Sequence, residues 1–232
     1  MRPTQAANSA RQVYCEDALA WLSSQQSLAG CSLVASLPDI SEFPSYSLAE
    51  WQEWFIRSAS LVLSSTPVEG VSVFYQSDIK RDGCWVDKAY LCQKAAEQLM
   101  VPLLWHKVVC RVSAGQTTFG RPAYSHVLCF SRGVRVPKNF GSPDVLPSAG
   151  DKTWERGMGL EACMLIAKFI AEQTSTKTLV NPFCGQGSML AAAEAWGLSA
   201  VGIERSPKRA ALARVLVLDE ARRSFVKQTQ VL

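Results

Sequence analysis

Two stretches late in the chain have residue types and spacing suited to holding a nucleoside. Leu179-Val180-Asn181-Pro182-Phe183-Cys184-Gly185-Gln186-Gly187-Ser188 reads as a buried strand that stops at a glycine turn and opens a helix. Ala200-Val201-Gly202-Ile203-Glu204 reads as a second buried strand, ending in an acid 19 residues after Gly185. Glycines let a ligand approach the backbone where a Cβ would collide, and a helix start supplies free N–H groups. A carboxylate at the end of the next strand can accept both hydroxyls of a ribose. The unit therefore reads as a nucleoside-binding βαβ. Leu190 stands where the third glycine of a full GxGxxG would be. That weakens a dinucleotide reading, and a tight turn in an α/β protein is the alternative for the glycines alone.

Positioning such a turn takes a sheet, and the chain alternates strand-like and helical runs from end to end. Strands are expected at Gln12–Cys15, Ser32–Ser36, Val71–Gln76, Leu103–Cys110, Val127–Ser131, Thr178–Asn181 and Ala200–Ile203. Helices are expected from Asp17 to about Gln26, from near Ser47, from about Asp87 to Met100, from about Leu160 to Glu172, at Ser188–Trp196, and from Pro207 to about Phe225. Ser47 followed by Glu50 has the capping-box spacing, and Pro207 suits a first helical position. The segment Gly133–Gly150, punctuated by Pro137, Gly141, Pro143 and Pro147, reads as one long loop. Alternation of this kind indicates a mostly parallel sheet covered on both faces.

The composition agrees with a globular chain of one domain. With 232 residues, 48% apolar and 19% charged, it has too many aliphatic and aromatic residues for disorder. The longest charge-free run, Ala18 to Pro38, is interrupted by serines and glutamines and is no membrane span. The first twelve residues contain no apolar signal core, so a cytoplasmic location is expected. The 8 cysteines form no CxxC pair and read as reduced thiols. His106 and His126 do not stand at ligand spacing from a cysteine pair, and no metal is expected. The net charge of +4 is unevenly spread. Residues 1–75 sum to −4 and residues 76–138 to +6. The middle third is a candidate surface for an anionic partner, with a solvated face as the alternative.

The run from Asn181 to Ser206 resembles motifs I and II of class I S-adenosylmethionine-dependent methyltransferases, in the D/N-PF-C-G-x-G form found in amino-methyltransferases of DNA and RNA. The resemblance implies S-adenosylmethionine as cofactor, with Asn181, Phe183, Gly185 and Gly187 along its methionine and ribose portions and Glu204 on the ribose hydroxyls. Tyr14-Cys15-Glu16-Asp17-Ala18-Leu19 is similar to the family's G-D-A-L segment, which would bring Asp17 to the adenine amino group. Arg156-Gly157-Met158-Gly159-Leu160 occupies the place of the motif at the methionine end, through Gly157. The catalytic segment thus comes early and the cofactor strand late, as in the circularly permuted β-class order. The resemblance implies a Rossmann-like, seven-stranded mixed sheet with helices on both faces. A single domain over 1–232 would comprise a catalytic and substrate half (12–131), a loop (132–156) and a cofactor half (157–232).

In that family the catalytic strand ends in D/N/S-P-P-Y/F/W, whose polar residue and backbone carbonyl accept the hydrogens of a base amine while the aromatic stacks on the base. Here the matching stretch is Ser36-Leu37-Pro38-Asp39. Ser36 and Pro38 fit; Leu37 and Asp39 do not. An ionised Asp39 cannot stack, but it could act as a general base, or Pro38-Asp39 could merely end a strand. Phe43 or Tyr46 could supply the stacking face. His106 reads more readily as a core histidine than as a base. Gly120–His126 resembles the family's substrate-side hairpin, with Arg121 and Tyr124 as phosphate and base contacts. Lys80, Arg81, Lys107, Arg111, Arg132, Arg135 and Lys138 could neutralise phosphates. The expected substrate is RNA, such as tRNA or rRNA, since the chain has no segment large enough for an added DNA target-recognition domain. A small molecule or protein side chain is one alternative, and an inactive methyltransferase-like partner subunit another. A protein partner or a homodimer is left open.

Overall fold

The computed structural model describes residues 10–227; residues 1–9, which open the stretch lacking an apolar signal core, lie outside the described residues. The order is β1 (Arg11–Tyr14), α1 (Ala18–Ser24), β2 (Cys31–Ala35), α2 (Leu48–Ser65), β3 (Ser72–Gln76), β4 (Ile79–Arg81), β5 (Cys84–Val86), α3 (Lys88–Gln98), β6 (Leu103–Cys110), β7 (Tyr124–Phe130) and β8 (Val145–Leu146). It continues with α4 (Leu160–Gln173), β9 (Thr178–Pro182), α5 (Ser188–Ala195), β10 (Ser199–Ile203), α6 (Pro207–Val215), β11 (Leu216–Asp219) and β12 (Ser224–Lys227).

Helix starts follow local chemistry. The Asp17 carboxylate accepts the Leu19 and Ala20 amides ahead of α1, and Asp87 accepts the Tyr90 amide ahead of α3. Ser47 and Glu50 close a capping box at α2. Along α2, Trp51, Phe55, Ala59 and Val62 recur at three to four residues and are fully buried. Such a stripe drives the helix onto the sheet, and truncating either aromatic would cost about 3–5 kcal/mol.

The main sheet runs β1-β10-β9-β2-β3-β7-β6-β8. Strands β1, β10, β9, β2 and β3 are mutually parallel, while β7 is antiparallel to both β3 and β6. Two late strands therefore sit between β1 and β2, the two earliest. Successive strand residues serve opposite faces, as the pleat requires. Leu33, Phe74, Leu128 and Val180 join the core under α1, α2 and α3, whereas Val34, Val73, Val127 and Leu179 join the core under α4 and α5. All 8 cysteines are free thiols. Burial pushes the pKa of Cys92, Cys129 and Cys163 up, and that of Cys184 to about 12. Among the described residues, no helix is long and apolar enough to cross a membrane.

Three expectations need correction. The final helix does not reach Phe225 but ends at Val215, and β11 and β12 form a hairpin. Arg11 on β1 ends it: its guanidinium donates to the Ala213 and Leu216 carbonyls and pairs with Glu194, so the last turn of α6 is tied to the sheet edge. Phe225, freed from a helix, packs on the α4–α5 core, and its amide donates to Asp151 at 2.8 Å. The loop after Gly133 is not wholly irregular, because Val145–Leu146 adds an eighth, short parallel strand beside β6. The hairpin β4–β5, absent from the sequence pattern, is closed by Asp82-Gly83.

Candidate active site

Five parallel strands deliver their C-terminal ends to one edge of the sheet, where open α/β sheets bind ligands. There they surround a cavity of about 690 Å³ lined by Asp17, Glu204, Phe183, Gly185 and Ser36 to Asp39, together with Gln76 at the end of β3 and Asp78 just beyond it. The antiparallel β7 begins, and β6 ends, at the same edge, so Arg111, Gly120 and Arg121 of their connection reach the opposite rim.

The turn after β9 is shaped by its glycines. Phe183, Gly185 and Gly187 have φ of 70, 57 and 90. A Cβ on Gly185 would meet nothing closer than the Trp154 ring at 3.9 Å, so the cavity side is open to a ligand. Gly187 serves another purpose: its Cβ would come within 2.8 Å of the Ala213 backbone, so it lets α5 start hard against α6. Gly157 admits the Trp154 ring, which a Cβ would strike at 2.6 Å, and Arg209 covers that ring at 4.5 Å. Asn181 is turned inward, its amide donating to the Val34 carbonyl and locking β9 to β2. Glu204 is buried and accepts the Gly185 amide at 3.0 Å and the Ser206 amide at 2.8 Å. A buried carboxylate beside an open glycine turn, with Asp17 after the neighbouring strand lining the same cavity, is a donor and acceptor set suited to a nucleoside.

The Ser36–Asp39 segment forms the adjoining wall. The Trp51 indole donates to the Pro38 carbonyl at 3.4 Å, and the Asp39 carboxylate accepts the Ile40 amide at 3.1 Å. Lys88 Nζ stands 3.7 Å from Asp39. Burial, above all, lowers the pKa of the Lys88 ammonium, with Asp39 and Asp78 pulling it back. Phe43 packs on Trp54 at 4.4 Å, and Trp54 meets Phe183 edge-on at 6.5 Å, which gives the cavity an aromatic wall. Tyr46 lies outside the cavity, against Phe43.

Beyond Asp39 lies a hydrogen-bonded file. Asp78 Oδ1 accepts the Lys88 amide at 2.8 Å, its Oδ2 is 3.0 Å from His126 Nε2, and His126 Nδ1 is 2.9 Å from His106 Nε2. Burial works to raise the Asp78 pKa, but the hydrogen bonds from His126 and the Lys88 amide, with the charges of both residues, outweigh it and hold the carboxyl below its ordinary value. Burial, then the neighbouring His126, lowers the pKa of His106. Gln76 is 1% exposed, lines the cavity, and its Nε2 donor has no partner. An unpaired buried donor costs about 1–3 kcal/mol, which an acceptor on a ligand would relieve.

The remaining expected contacts divide. Arg121 lines the cavity and pairs with Glu155 at 2.8 Å. Tyr124 lies behind the rim, its hydroxyl 3.4 Å from Asp78. Lys107 is turned away, donating to Asp144 and to the Ser142 carbonyl beside β8. Arg132 and Arg135 donate to backbone carbonyls remote from the cavity. The sequence pattern does not single out Lys88, Gln76, Trp54 or Trp154. A lysine inside an apolar helix face is the available signal for Lys88; the others look like ordinary strand, helix or loop residues.

No protein-family model matches the chain, and no curated protein is significantly similar to it in sequence. Solved structures do resemble it. A Thermus thermophilus protein described as a putative DNA modification methylase, solved with S-adenosyl-L-methionine, superposes with a TM-score of 0.65 at 19% identity, over 88% of this chain and 91% of that one. The cytosine-N4-specific PvuII DNA methyltransferase gives a TM-score of 0.63 at 18% identity, over 89% and 86%. M1.HpyAVI, solved as a SAM complex, gives 0.61 at 16% identity, over 88% and 98%. With its late strands inserted between its two earliest and its strand ends around one cavity, the chain has the Rossmann-like fold of these S-adenosylmethionine-dependent methyltransferases.

Proposed function

We propose that the protein is an S-adenosylmethionine-dependent methyltransferase acting on an amino group of a nucleic-acid base. The observation that carries this is the convergence of Glu204, Asp17 and the open Gly185 turn with Ser36–Asp39 in one cavity. The bound cofactor would supply an electrophilic methyl group. Glu204 would hold its ribose hydroxyls, Asp17 its adenine amino group, and the turn from Asn181 to Gly187, with Gly157, its methionine end. Phe43, Trp54 and Phe183 offer the target base an apolar wall, and Gln76 Nε2 a hydrogen-bond donor. Ser36 Oγ and the Pro38 carbonyl stand to accept the hydrogens of the amine, although the Trp51 indole already shares that carbonyl.

As the nitrogen gains a methyl it must shed a proton, and the Asp39 carboxylate, kept in place by Lys88 and the Ile40 amide, stands to take it. Most of the rate would come from holding amine and methyl in line. Both nucleic acids remain substrates in this reading: RNA from the likeness of the Asn181–Ser206 run to amino-methyltransferases of both DNA and RNA, DNA from the activities named for the structural neighbours.

The test is calorimetric titration with S-adenosylmethionine, followed by transfer of a tritiated methyl group to RNA and DNA fractions. Binding that Glu204→Ala abolishes, with label in either nucleic acid, supports the reading and chooses between them. Label in protein or metabolites alone overturns the substrate class. Binding without transfer to any fraction points instead to an inactive partner subunit.

A further inference from the structure

No residue given a cofactor or base contact under the proposed function belongs to the hairpin β4–β5, yet it is built as an ordered projection. Asp82 and Gly83 have φ of 50 and 77, the twice-positive backbone of a tight two-residue turn. Ile79 faces Val86 across the ladder and both pack on the core, which anchors one side. Lys80 faces Trp85 on the other side. Trp85 keeps 52% of its surface in solvent, with Lys80 Nζ 4.6 Å from its ring centroid. The Tyr124 ring lies nearly parallel to it, at 13° and 6.5 Å between centroids.

Ile79, Lys80 and Arg81 line the cavity, and Arg111, Arg121 and Lys152 also do so. Two of these cations have acidic neighbours, Asp82 at 3.7 Å from Arg81 and Glu155 at 2.8 Å from Arg121. The Lys152 ammonium is held below its ordinary pKa by burial and then by the charge of Arg111, as expected where cations crowd one opening. A rim of this kind attracts a polyanion. An exposed indole backed by a cation adds a planar apolar face that a phosphate alone would not require.

We infer that the β4–β5 hairpin is a stacking platform for an unpaired nucleotide, placed next to the one whose base enters the cavity, so that the preferred substrate is single-stranded nucleic acid. This rests on the methyltransferase reading for what the cavity holds. Bases stack on aromatic side chains whatever their sequence, while nearby Lys and Arg track the phosphates. Inside a duplex both faces of each base are covered by its neighbours, so only an unpaired or extruded nucleotide has a face to offer Trp85. Lys80 and Arg81 then meet the phosphates on either side of the stacked nucleotide.

Fluorescence anisotropy of the full chain, with labelled RNA or DNA single strands of about 12 nucleotides and the matching duplexes, tests this without cofactor. Single strands should bind about 10-fold tighter than duplexes, and Trp85→Ala should weaken them about 10-fold while Trp85→Phe keeps most of the affinity. Lys80→Gln with Arg81→Gln should lower the slope of log affinity against log salt by about 1.4. The RNA and DNA arms identify which strand is preferred. Equal binding of duplex and single strand, or unchanged affinity in a folded Trp85→Ala, overturns the platform. So does failure of the wild-type chain to bind any strand; if S-adenosylmethionine still binds, the cofactor reading survives. Trp85-dependent strand binding without S-adenosylmethionine binding supports the platform and removes the methyltransferase reading.

Discussion

The two sides of the cavity are built on different principles. On the side of the β9 turn, shape is imposed by close packing: a Cβ on Gly187 would strike Ala213 at 2.8 Å, one on Gly202 would strike Leu190 at 2.6 Å, and one on Gly159 would strike the Ala149 carbonyl at 2.1 Å. On the side of β4–β5 and the 111–123 loop, a Cβ on Gly83, Gly115 or Gly120 would meet nothing within 4 Å. Those glycines supply backbone conformation alone, with φ of 77, 85 and 76. Between the two sides lies a polar floor of Lys88, Asp39 and Asp78. A cofactor of fixed shape needs the first kind of wall, whereas a polymer that must enter and leave is better served by the second.

Substitution can probe that contrast, and the largest effect is expected at the packed turn. Gly187→Ala combines a positive φ with a collision against backbone and should cost about 3 kcal/mol, lowering the melting temperature and abolishing S-adenosylmethionine binding. A variant with wild-type melting and affinity would mean that the turn is as open as the hairpin.

Asp78 comes next. Because its pKa is held below the unfolded value of about 3.9, its charge contributes stability that is complete above that pH and is lost as pH falls through the lower native value. Asp78→Asn should therefore cost about 2 kcal/mol at pH 7 in denaturant titrations, and the gap to wild type should close below about pH 4. A gap independent of pH would separate Asp78 from the charged floor.

Lys88→Met tests whether that floor serves structure or chemistry. Replacing the ammonium by an apolar side chain of similar length removes its burial penalty but leaves half-exposed Asp39 and buried Asp78 without a cation, so stability should fall by about 2 kcal/mol or less. Methyl transfer should fall by about 10-fold or more, since Asp39 loses the cation that fixes it. Unimpaired transfer would detach Asp39 from the reaction. The smallest effect is expected at Gly83→Ala, about 1 kcal/mol from backbone strain with no collision. It should loosen strand binding and leave cofactor binding untouched.

Much of this arrangement is legible in the chain. Asp17, Ser47 and Asp87 mark helix starts through local hydrogen bonds, and the strand-turn-helix from Leu179 to Ser188 declares itself because every residue it needs is consecutive. What escapes depends on distant partners. Helical spacing persists from Pro207 past Val215, and the guanidinium that ends the helix belongs to Arg11, about 200 residues earlier. The strands β4 and β5 have three residues each, too few for a period to register. Lys107 looks like one cation among many in a basic segment, but Asp144 claims it. Glycine turns usually line a ligand, which is what the sequence implies for Gly187, whereas its missing Cβ makes room for α6.

The strand order also bears on how the chain is made. Among the described residues, strand β1 pairs only with β10, and β2 reaches β1 only through β9 and β10. A ribosome that has released residues 11–130 has supplied β2, β3, β7 and β6, which can already pair with one another, but nothing to which β1 can bond. Asp17 and the Ser36–Asp39 segment exist early, yet they stand apart until residues 178–203 emerge and insert between them. The cavity is thus closed by elements synthesised late, and any nascent chain cut short of Ile203 carries Ser36–Asp39 without the strands that complete the cavity.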